Sequence, residues 1–349
     1  MTNYDAILIL SFGGPEGRDD VIPFLENVLR GKNVPRERML EVAEHYYHFD
    51  GISPINEQNR ALITALRDEL TTPASVEKGL DLPIYWGNRN WHPMLVDTLQ
   101  QMRDDGVKRA LTFVTSAMSS YSGCRQYLED IQRARAELGE GAPEVDKLRA
   151  FYNHPGFIEA MQSRVQEAVN QVDGQSTLIV FTAHSIPLSM AGGCPYVEQL
   201  EESSRLVMES FLHLPHVLVY QSRSGPPTQP WLEPDICDYL QQVKDEGQHD
   251  SVVIVPIGFI SDHMEVLFDL DTEARDLCEE IGLPMVRAGT AGTHPKFIGM
   301  IRDLIAERVA GDARKAVGQF GPRHDECPIG CCPSGRPRPA ATSTSPQPT

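Results

Sequence analysis

The chain has 349 residues, of which 41% are hydrophobic, and a formal net charge of -18 at pH 7. This length exceeds what one hydrophobic core usually supports, so we expect two domains or one large α/β unit of a soluble globular enzyme. The acidic balance disfavours binding to nucleic acid or anionic lipid, because both attract basic patches and none is evident in the sequence.

The first apolar run, AILILSF at residues 6–12, is seven residues long and has no basic flank. It is too short for a membrane span and lacks the pattern of a signal peptide. We therefore expect no stable membrane anchor and a cytoplasmic location, where cysteines stay reduced or bind metal. Residues 334–349 are rich in Pro, Ser, Thr and Ala, which predicts a disordered tail.

Strand-like runs alternate with helix-like segments, which predicts an α/β fold with doubly wound parallel sheets. Three segments of the first half resemble three of the second half in pattern and order. The pairs are AILILSFGGPE with TLIVFTAHSIP, IYWGNRNWHP with VYQSRSGPPTQPWLEP, and LTFVTSAMSSYSGC with VVIVPIGFISDHME. We predict two Rossmann-like domains related by duplication (1–165 and 166–320), then a cysteine-rich segment (321–333) and the tail.

In doubly wound folds, ligands bind at the carboxyl edge of the parallel strands. The turn after the first strand, SFGGPE at 11–16, lacks the G-x-G-x-x-G spacing, so nucleotide binding is disfavoured. We expect the strand ends to bring several side chains of both halves around one cleft. They are Phe12, Tyr121, His184, Ser222 and Glu265.

His184 lies at a strand end in TAHSIP. A single histidine is most often a structural residue, but imidazole titrates near neutrality and can accept and pass on a proton. Opposed to a carboxylate such as that of Glu265, it is a candidate base or metal ligand. The adjacent Ser185 is not part of a G-x-S-x-G elbow, which disfavours a hydrolase.

An apolar run, VVIVPIGFI, predicts a strand buried on both faces, and acidic residues follow it. Glu265, Asp269 and Glu273 are spaced i, i+4, i+8 and form one stripe on a helix. Like charges at this spacing weaken a helix. The stripe therefore either holds a cation or moves protons, or it is the solvated face of an acidic protein, and spacing alone leaves both readings open.

The polar loops GISPINEQN and YWGNRNWHP have the composition of structural turns. With the aromatic residues of the first half, they can also line a pocket for a large flat ligand. Those aromatic residues are Phe12, Tyr46, Tyr47, Trp86, Trp91, Tyr121 and Tyr127.

The cysteines form two groups. Cys327, Cys331 and Cys332 lie close together in CPIGCC, and Cys124 lies far upstream in SSYSGC. Clustered cysteines in a cytosolic chain indicate metal, but the C-x-x-C pairs typical of zinc sites are missing. Three local thiolates and a distant fourth suit a [2Fe–2S] cluster that ties the carboxyl end to the first domain. The remaining cysteines are read as small buried hydrophobes: Cys194, Cys237 and Cys278.

Seven motifs together resemble the ferrochelatase family, most closely its actinobacterial coproporphyrin III type with a [2Fe–2S] cluster. The motifs are LSFGGPE, HFDGISPIN, YWGNRNWHP, SSYSGCRQY, FTAHSIP, QSRSGPPTQPWLEPD and GFISDHMEVLFDLD. The resemblance covers nearly all of residues 4–310. It implies two Rossmann-like, chelatase-like domains and a lyase of haem and porphyrin biosynthesis that inserts ferrous iron into coproporphyrin III.

The resemblance also implies roles for individual residues. His184 and Glu265 match the family's catalytic pair, and metal binding extends from them to Asp269 and Glu273, on a helix that is locally of π type in the family. Porphyrin contacts are implied for Phe12, Arg30, Tyr46, Ser53 and Tyr127. Cluster ligands are implied for Cys124, Cys327, Cys331 and Cys332. Phe12 replaces a tyrosine found in many members, so a phenol contact is lost there.

Several alternatives stay open at this point. Coproporphyrin carries four propionates and is soluble, whereas protoporphyrin IX carries two and partitions into membranes; the absence of a long apolar lip favours the former. A basic group (Arg30, Lys32, Arg36 and Arg38) can pair with propionates, although such groups are more often solvated. A cobalt or nickel chelatase, a tetrapyrrole carrier and an iron–sulfur sensor are the rival classes. The resemblance also allows transient contact with other haem-pathway enzymes.

Overall fold

The computed structural model describes residues 3–32, 34–172, 176–226 and 228–335. Most of the segment predicted as a disordered tail, from residue 336 onward, lies outside the described residues.

The described residues form two parallel sheets of four strands each. The strands are β1 (Ala6–Ser11), β2 (Ile84–Asn88), β3 (Arg109–Val114), β4 (Glu144–Lys147), β5 (Thr177–His184), β6 (His216–Gln221), β7 (Ser251–Val255) and β8 (Met285–Arg287). The first sheet has the order β2-β1-β3-β4 and the second has the order β6-β5-β7-β8. The strand order of the second sheet is the same as that of the first sheet, with β5 to β8 in the places of β1 to β4. This arrangement confirms the predicted pair of Rossmann-like units.

Helices connect the strands and cover the sheets. They are α1 (Val21–Leu29), α2 (Arg36–His48), α3 (Ile55–Leu70), α4 (Pro73–Glu77), α5 (Leu95–Asp104), α6 (Gln126–Leu138), α7 (Pro155–Val169), α8 (Leu188–Ala191), α9 (Tyr196–Met208), α10 (Ile236–Glu246), α11 (Met264–Phe268), α12 (Arg275–Ile281) and α13 (Pro295–Val309). A short 3₁₀ turn covers Arg18–Asp20, and π-helical segments cover Tyr121–Arg125 and Asp269–Ala274. Among these described helices, none is long and apolar enough to cross a membrane.

Strands β1 and β7 are buried along their whole length, as expected where helices cover both faces of a parallel sheet. The prediction of one strand through VVIVPIGFI was wrong beyond Val255, where β7 ends. Pro256 has no N–H to donate to the neighbouring strand, and Ile257 N instead donates back to Val255 O at 2.8 Å. The chain therefore turns at this point and leads into the loop that carries the acidic residues.

The two sheets share the largest hydrophobic cluster, which contains Ile7 and Phe181 from the central strands and Phe157 and Phe297 from the helices between them. Helix α13 contacts both α3 and α7, so the last helix packs across the halves. The predicted boundary at 165/166 falls inside α7, and the division of the chain into domains at that point stays a prediction.

Candidate active site

His184 is the last residue of β5, at the carboxyl edge of the second sheet. Its Nδ1 is hydrogen-bonded to the carbonyl oxygen of Ser185. Because a carbonyl only accepts, Nδ1 carries the proton and Nε2 has a free lone pair. Nε2 lies 3.8 Å from Oε1 of Glu265, and the two side chains are 32% and 47% exposed. The pair is accessible and has the donor set of a proton acceptor beside a carboxylate.

The backbone around His184 is fixed from several sides. Tyr196 donates its hydroxyl to the carbonyl oxygen of His184 at 3.0 Å. Ser185 N donates to Gln221 O at 2.8 Å, and Ser185 Oγ donates to Leu232 O at 2.8 Å. The serine next to the histidine is thus used for structure, which agrees with the absence of a hydrolase motif.

Glu265 lies in the first turn of α11, and His263 caps that helix. The backbone N of Glu265 donates to His263 Nδ1 at 3.2 Å. Burial lowers the pKa of His263, although the nearby Glu265 carboxylate acts in the opposite direction. A neutral imidazole has the free acceptor nitrogen that the cap requires.

Asp269 is held by side chains at the end of β6. Its Oδ2 accepts hydrogen bonds from Ser222 Oγ and from Gln221 Nε2, the latter at 3.2 Å. Burial raises the pKa of Asp269 to about 7, although the bond from Ser222 acts in the opposite direction. This carboxyl group therefore exchanges its proton near neutral pH.

Gln221 was missed by the sequence reasoning. It pairs with His184 across β5 and β6, and its Nε2 also reaches the carbonyl oxygen of Glu265 at 3.2 Å. The side chain is almost completely buried, and its Oε1 has no hydrogen-bond partner among the described residues. The available signal was its place beside Ser222, in the segment that parallels the YWGNRNWHP turn.

The predicted stripe of acids is present, with a helical geometry that changes along it. Glu265 lies on the α-helical part, whereas Asp269 and Glu273 lie on the π-helical segment that follows. Burial raises the pKa of Glu273, and the nearby Asp235 raises it further. Asp235 caps α10 through Cys237 N at 2.8 Å and extends the acidic row beyond the predicted residues.

From the first half, Phe12 and Tyr46 both contact the buried Phe24. Their ring centroids lie 6.2 Å and 5.6 Å from that of Phe24, in edge-to-face arrangements. Burial raises the pKa of Tyr46, and the charge of Glu265 raises it further. Tyr46 therefore lies within electrostatic range of Glu265, which belongs to the other half.

Arg89 joins two of the predicted aromatic residues and was not itself predicted. Its guanidinium carbon lies 5.7 Å from the centroid of the Phe12 ring and 4.5 Å from that of Tyr127. It forms a buried ion pair with Asp130, with side-chain exposures of 5% and 7%. The sequence signal was its place in YWGNRNWHP, where a composition typical of turns concealed it.

The remaining predicted first-half residues differ in position. Ser53 is buried, and its N donates to Pro15 O at 2.9 Å; a Cβ on Gly14 would lie 2.7 Å from Ser53 Cβ, so the two turns are in close contact. Arg30 is exposed at the end of α1 and donates to Asn27 Oδ1. No described contact joins Arg30 to the histidine–glutamate pair.

Two neighbours of Arg30 in the basic group form exposed ion pairs. Arg36 lies 3.9 Å from Glu26, and Arg38 lies 2.7 Å from Glu41. Exposed pairs of this kind contribute little to stability, so these arginines can exchange their partners.

A second group of candidate ligands lies where the carboxyl-terminal segment meets the first half. We call Cys124, Cys327, Cys331 and Cys332 the cysteine centre. Cys327 adjoins Cys124 and lowers its pKa, and the Sγ atoms of Cys331 and Cys332 are 3.4 Å apart. All four are free thiols, and their assignment as one ligand set stays a prediction.

Two further side chains adjoin the cysteine centre. The ligand atoms of His324, Cys327 and Cys331 all lie within 4.8 Å of one another, so His324 is a candidate ligand that the sequence reasoning missed. Cys194, read as an isolated hydrophobe, lies close enough for Cys331 to raise its pKa, although burial raises it more. Distance along the chain concealed Cys194, whereas His324 lies three residues before Cys327, and this spacing was the available signal.

The comparisons with known proteins agree with one another. A family model described as Ferrochelatase matches residues 4–309. The chain is 59% identical to a "Ferrochelatase" of Rhodopirellula baltica, over 94% of this chain and 93% of the relative. It is 50% identical to a "Coproporphyrin III ferrochelatase" of Streptomyces coelicolor, over 97% and 96% of the two chains. For a "Coproporphyrin III ferrochelatase" of Nocardia farcinica the identity is 48%, over 97% and 98%.

Among solved structures, the chain resembles "SirB from Bacillus subtilis with Fe3+" with a TM-score of 0.55. The match covers 88% of this chain and 97% of that chain at 11% sequence identity. At this identity the likeness concerns the fold alone, which is the chelatase-like arrangement of two parallel sheets.

Proposed function

The chain belongs to the ferrochelatase family, a family of metal chelatases, and we propose that it inserts ferrous iron into coproporphyrin III to form Fe-coproporphyrin in haem biosynthesis. The observation that carries this proposal is the free Nε2 of His184 facing the Glu265 carboxylate at 3.8 Å, at the head of an acidic row. The choice of porphyrin draws support from relatives at about 50% identity that are named for coproporphyrin III.

Metal insertion replaces two pyrrole N–H protons of the porphyrin with one dication. In the proposed mechanism His184 accepts these protons at Nε2 and passes them on to solvent, which its exposure permits. The carboxylate of Glu265 stabilises the imidazolium that forms. The bond from Nδ1 to Ser185 O keeps the ring oriented so that the lone pair stays directed into the cleft.

The acidic row supplies oxygen ligands to the incoming ferrous ion. Glu273 and Asp269 exchange water for carboxylate oxygens stepwise, and Glu265 receives the ion next to His184. Because the pKa of Asp269 is about 7, a proton competes with the dication for this carboxyl group, so metal binding displaces the proton and strengthens as the pH rises through neutrality. Gln221 fixes the positions of Asp269 and Glu265 relative to each other, because its Nε2 donates to both Asp269 Oδ2 and Glu265 O.

The porphyrin is proposed to lie against the first half. Phe12 and Tyr46 offer apolar ring faces to the porphyrin. The buried Tyr127 and Ser53 form the layer behind them. Arg89 orients Phe12 and Tyr127 through its stacked guanidinium. Arg30, exposed at the rim, is available for a propionate.

Protoporphyrin IX is the second candidate substrate. The relative from Rhodopirellula baltica, at 59% identity, is named for ferrochelatase activity alone. In contrast, the exposed arginines of α2, which pair with surface glutamates, favour coproporphyrin III, the porphyrin with more carboxylates.

We further propose that the cysteine centre holds a [2Fe–2S] cluster, with Cys124, Cys327, Cys331 and Cys332 as ligands. The residues fit such a group, because the ligand atoms of Cys327 and Cys331 lie within 4.8 Å of each other, the Sγ atoms of Cys331 and Cys332 are 3.4 Å apart, and Cys124 adjoins Cys327. Porphyrin metallation transfers no electrons, so the reaction does not require a redox role for the cluster. When bound, the cluster would therefore have a structural role and would tie the carboxyl-terminal segment to the first half. Replacement of one thiolate by His324 is the alternative ligand set.

The test is an anaerobic assay of the purified full-length chain with ferrous iron and either coproporphyrin III or protoporphyrin IX. We expect rapid metallation of coproporphyrin III and slower metallation of protoporphyrin IX. Equal rates contradict the substrate choice, and binding of porphyrin without metallation indicates a carrier. Faster insertion of cobalt or nickel than of iron contradicts the choice of metal. The cytoplasmic location and contact with other haem-pathway enzymes stay predictions.

A further inference from the structure

We propose that Lys147 and Arg323 are positioning residues of the cysteine centre, which place positive charge and N–H donors against its sulfur atoms and raise the reduction potential of the cluster. This inference rests on the cluster assigned to the centre in the proposed function. It concerns two basic side chains that the proposed reaction does not use.

Lys147 is the last residue of β4, at the same sheet edge as Cys124, and is only 9% exposed. Its Nζ donates to Leu148 O at 2.8 Å. Lys147 and Cys124 line the same small cavity, and the lysine lowers the pKa of the thiol. The ammonium group thus lies away from solvent, in the wall of the cavity that the thiol shares.

A buried ammonium requires an anionic partner, because removing an unpaired charge from water costs several kcal/mol. Within the described ranges no carboxylate forms an ion pair with Lys147. The anion that the local structure offers is therefore the Cys124 thiolate, or a cluster bonded to it. The position of this lysine agrees with a permanently negative group at the centre.

Arg323 provides the second observation, independent of Lys147. It directly precedes His324 at the start of the cysteine-bearing segment. Its Nε is buried and lacks a hydrogen-bond partner in the part of the chain that the structure describes. The guanidinium lies close enough to Cys124 to lower the pKa of that thiol. An unpaired buried donor beside sulfur ligands indicates a missing acceptor, and a sulfur atom of a cluster is one.

The charge on the centre explains the expected effect. Four thiolates and two sulfides around two ferric ions carry a net charge of minus two, and one-electron reduction makes it minus three. Neighbouring positive charges and N–H donors stabilise the reduced form more than the oxidised form. Removal of such a charge therefore lowers the reduction potential while leaving the ligands in place.

The experiment uses the full-length chain, purified anaerobically with its cluster, and titrates the cluster with dithionite in the presence of redox mediators. The variants are Lys147→Met, Lys147→Arg and Arg323→Gln, with the exposed Lys108→Met at the opposite sheet edge as the charge-matched control. We expect Lys147→Met to shift the reduction equilibrium about tenfold toward the oxidised form, a potential about 59 mV lower for one electron. Lys147→Arg and Lys108→Met should stay near the wild-type value.

Equal potentials for wild type, Lys147→Met and Arg323→Gln overturn this inference and leave the cluster assignment intact. A wild-type protein that contains neither iron nor sulfide overturns the cluster assignment, and this inference with it. If Lys147→Met folds by circular dichroism but does not retain the cluster, while Lys108→Met retains it, the positioning role is supported. Loss of the cluster from both lysine variants contradicts a site-specific role.

Discussion

Gln58 and Asp262 exchange two hydrogen bonds across the cleft between the two halves. Nε2 of Gln58 donates to Asp262 O at 2.9 Å, and Asp262 N donates to Oε1 of Gln58 at 2.8 Å. Gln58 belongs to α3 of the first half, and Asp262 directly precedes the capping His263. This reciprocal pair joins α3 of the first half to the loop that leads into the acidic row.

The first prediction concerns this pair. Gln58→Leu keeps the side-chain volume but leaves both backbone groups of Asp262 without their partners, so we expect a loss of about 1–3 kcal/mol in the free energy of unfolding. The rate of iron insertion should fall as well, because Glu265 moves with the loop. The exposed Gln241, whose side chain donates to Asp245 Oδ1 at 2.9 Å on the surface of α10, supplies the control Gln241→Leu. Similar unfolding curves for the two variants contradict this role of Gln58.

The second prediction concerns the pH dependence of stability. The pKa of Asp269 is about 7 in the folded chain, above that of an ordinary aspartate, so the folded state binds more protons than the unfolded state between about pH 4 and 7. Its contribution to stability is therefore lost as the pH rises through this window. Asp269→Asn should remove that loss, which urea unfolding at pH 5 and pH 8 measures. Parallel profiles for wild type and variant contradict the raised pKa.

The third prediction concerns the iron route. If Glu273 passes iron inward, Glu273→Gln removes a charged oxygen ligand and should raise KM for ferrous iron several-fold while leaving KM for the porphyrin unchanged. Glu279→Gln, an exposed change on the following helix, is the matched control. A solvated acidic face without function predicts equal kinetics for both variants.

The fourth prediction concerns the cysteine centre. Cys332→Ser should lose the visible absorption of the purified protein and much of its soluble yield, because the carboxyl-terminal segment loses its tie to the first half. Cys278→Ser changes a buried cysteine outside the centre and should keep the absorption. A colourless, fully active wild-type protein without iron or sulfide contradicts cluster binding.

Much of this architecture is predictable from the sequence. Continuous apolar runs and the repeated order of segments predicted two parallel sheets, and strand ends predicted that His184 and Glu265 approach each other. Motif spacing grouped the four cysteines. These features are readable because they depend on local pattern and on the known geometry of parallel strands.

Other residues could not be found in this way. Gln221 and Arg89 act through burial and through contacts to side chains far along the chain, and a polar residue at a strand end has no pattern that reveals such contacts. Lys147 reaches the cysteine centre only through the tertiary fold, whereas the spacing of His324, three residues before Cys327, did offer a signal. The end of β7 at Val255 was missed because the apolar run outweighed Pro256.

The central claim is that His184 accepts the pyrrole protons, and one comparison tests it most directly. Anaerobic iron insertion into coproporphyrin III is measured at saturating iron for wild type, His184→Ala and the exposed control His213→Ala, with porphyrin affinity measured separately by fluorescence quenching. We predict that His184→Ala lowers kcat by about 10²-fold or more with porphyrin affinity preserved, while the control stays at the wild-type rate. A near-normal kcat for His184→Ala contradicts the account.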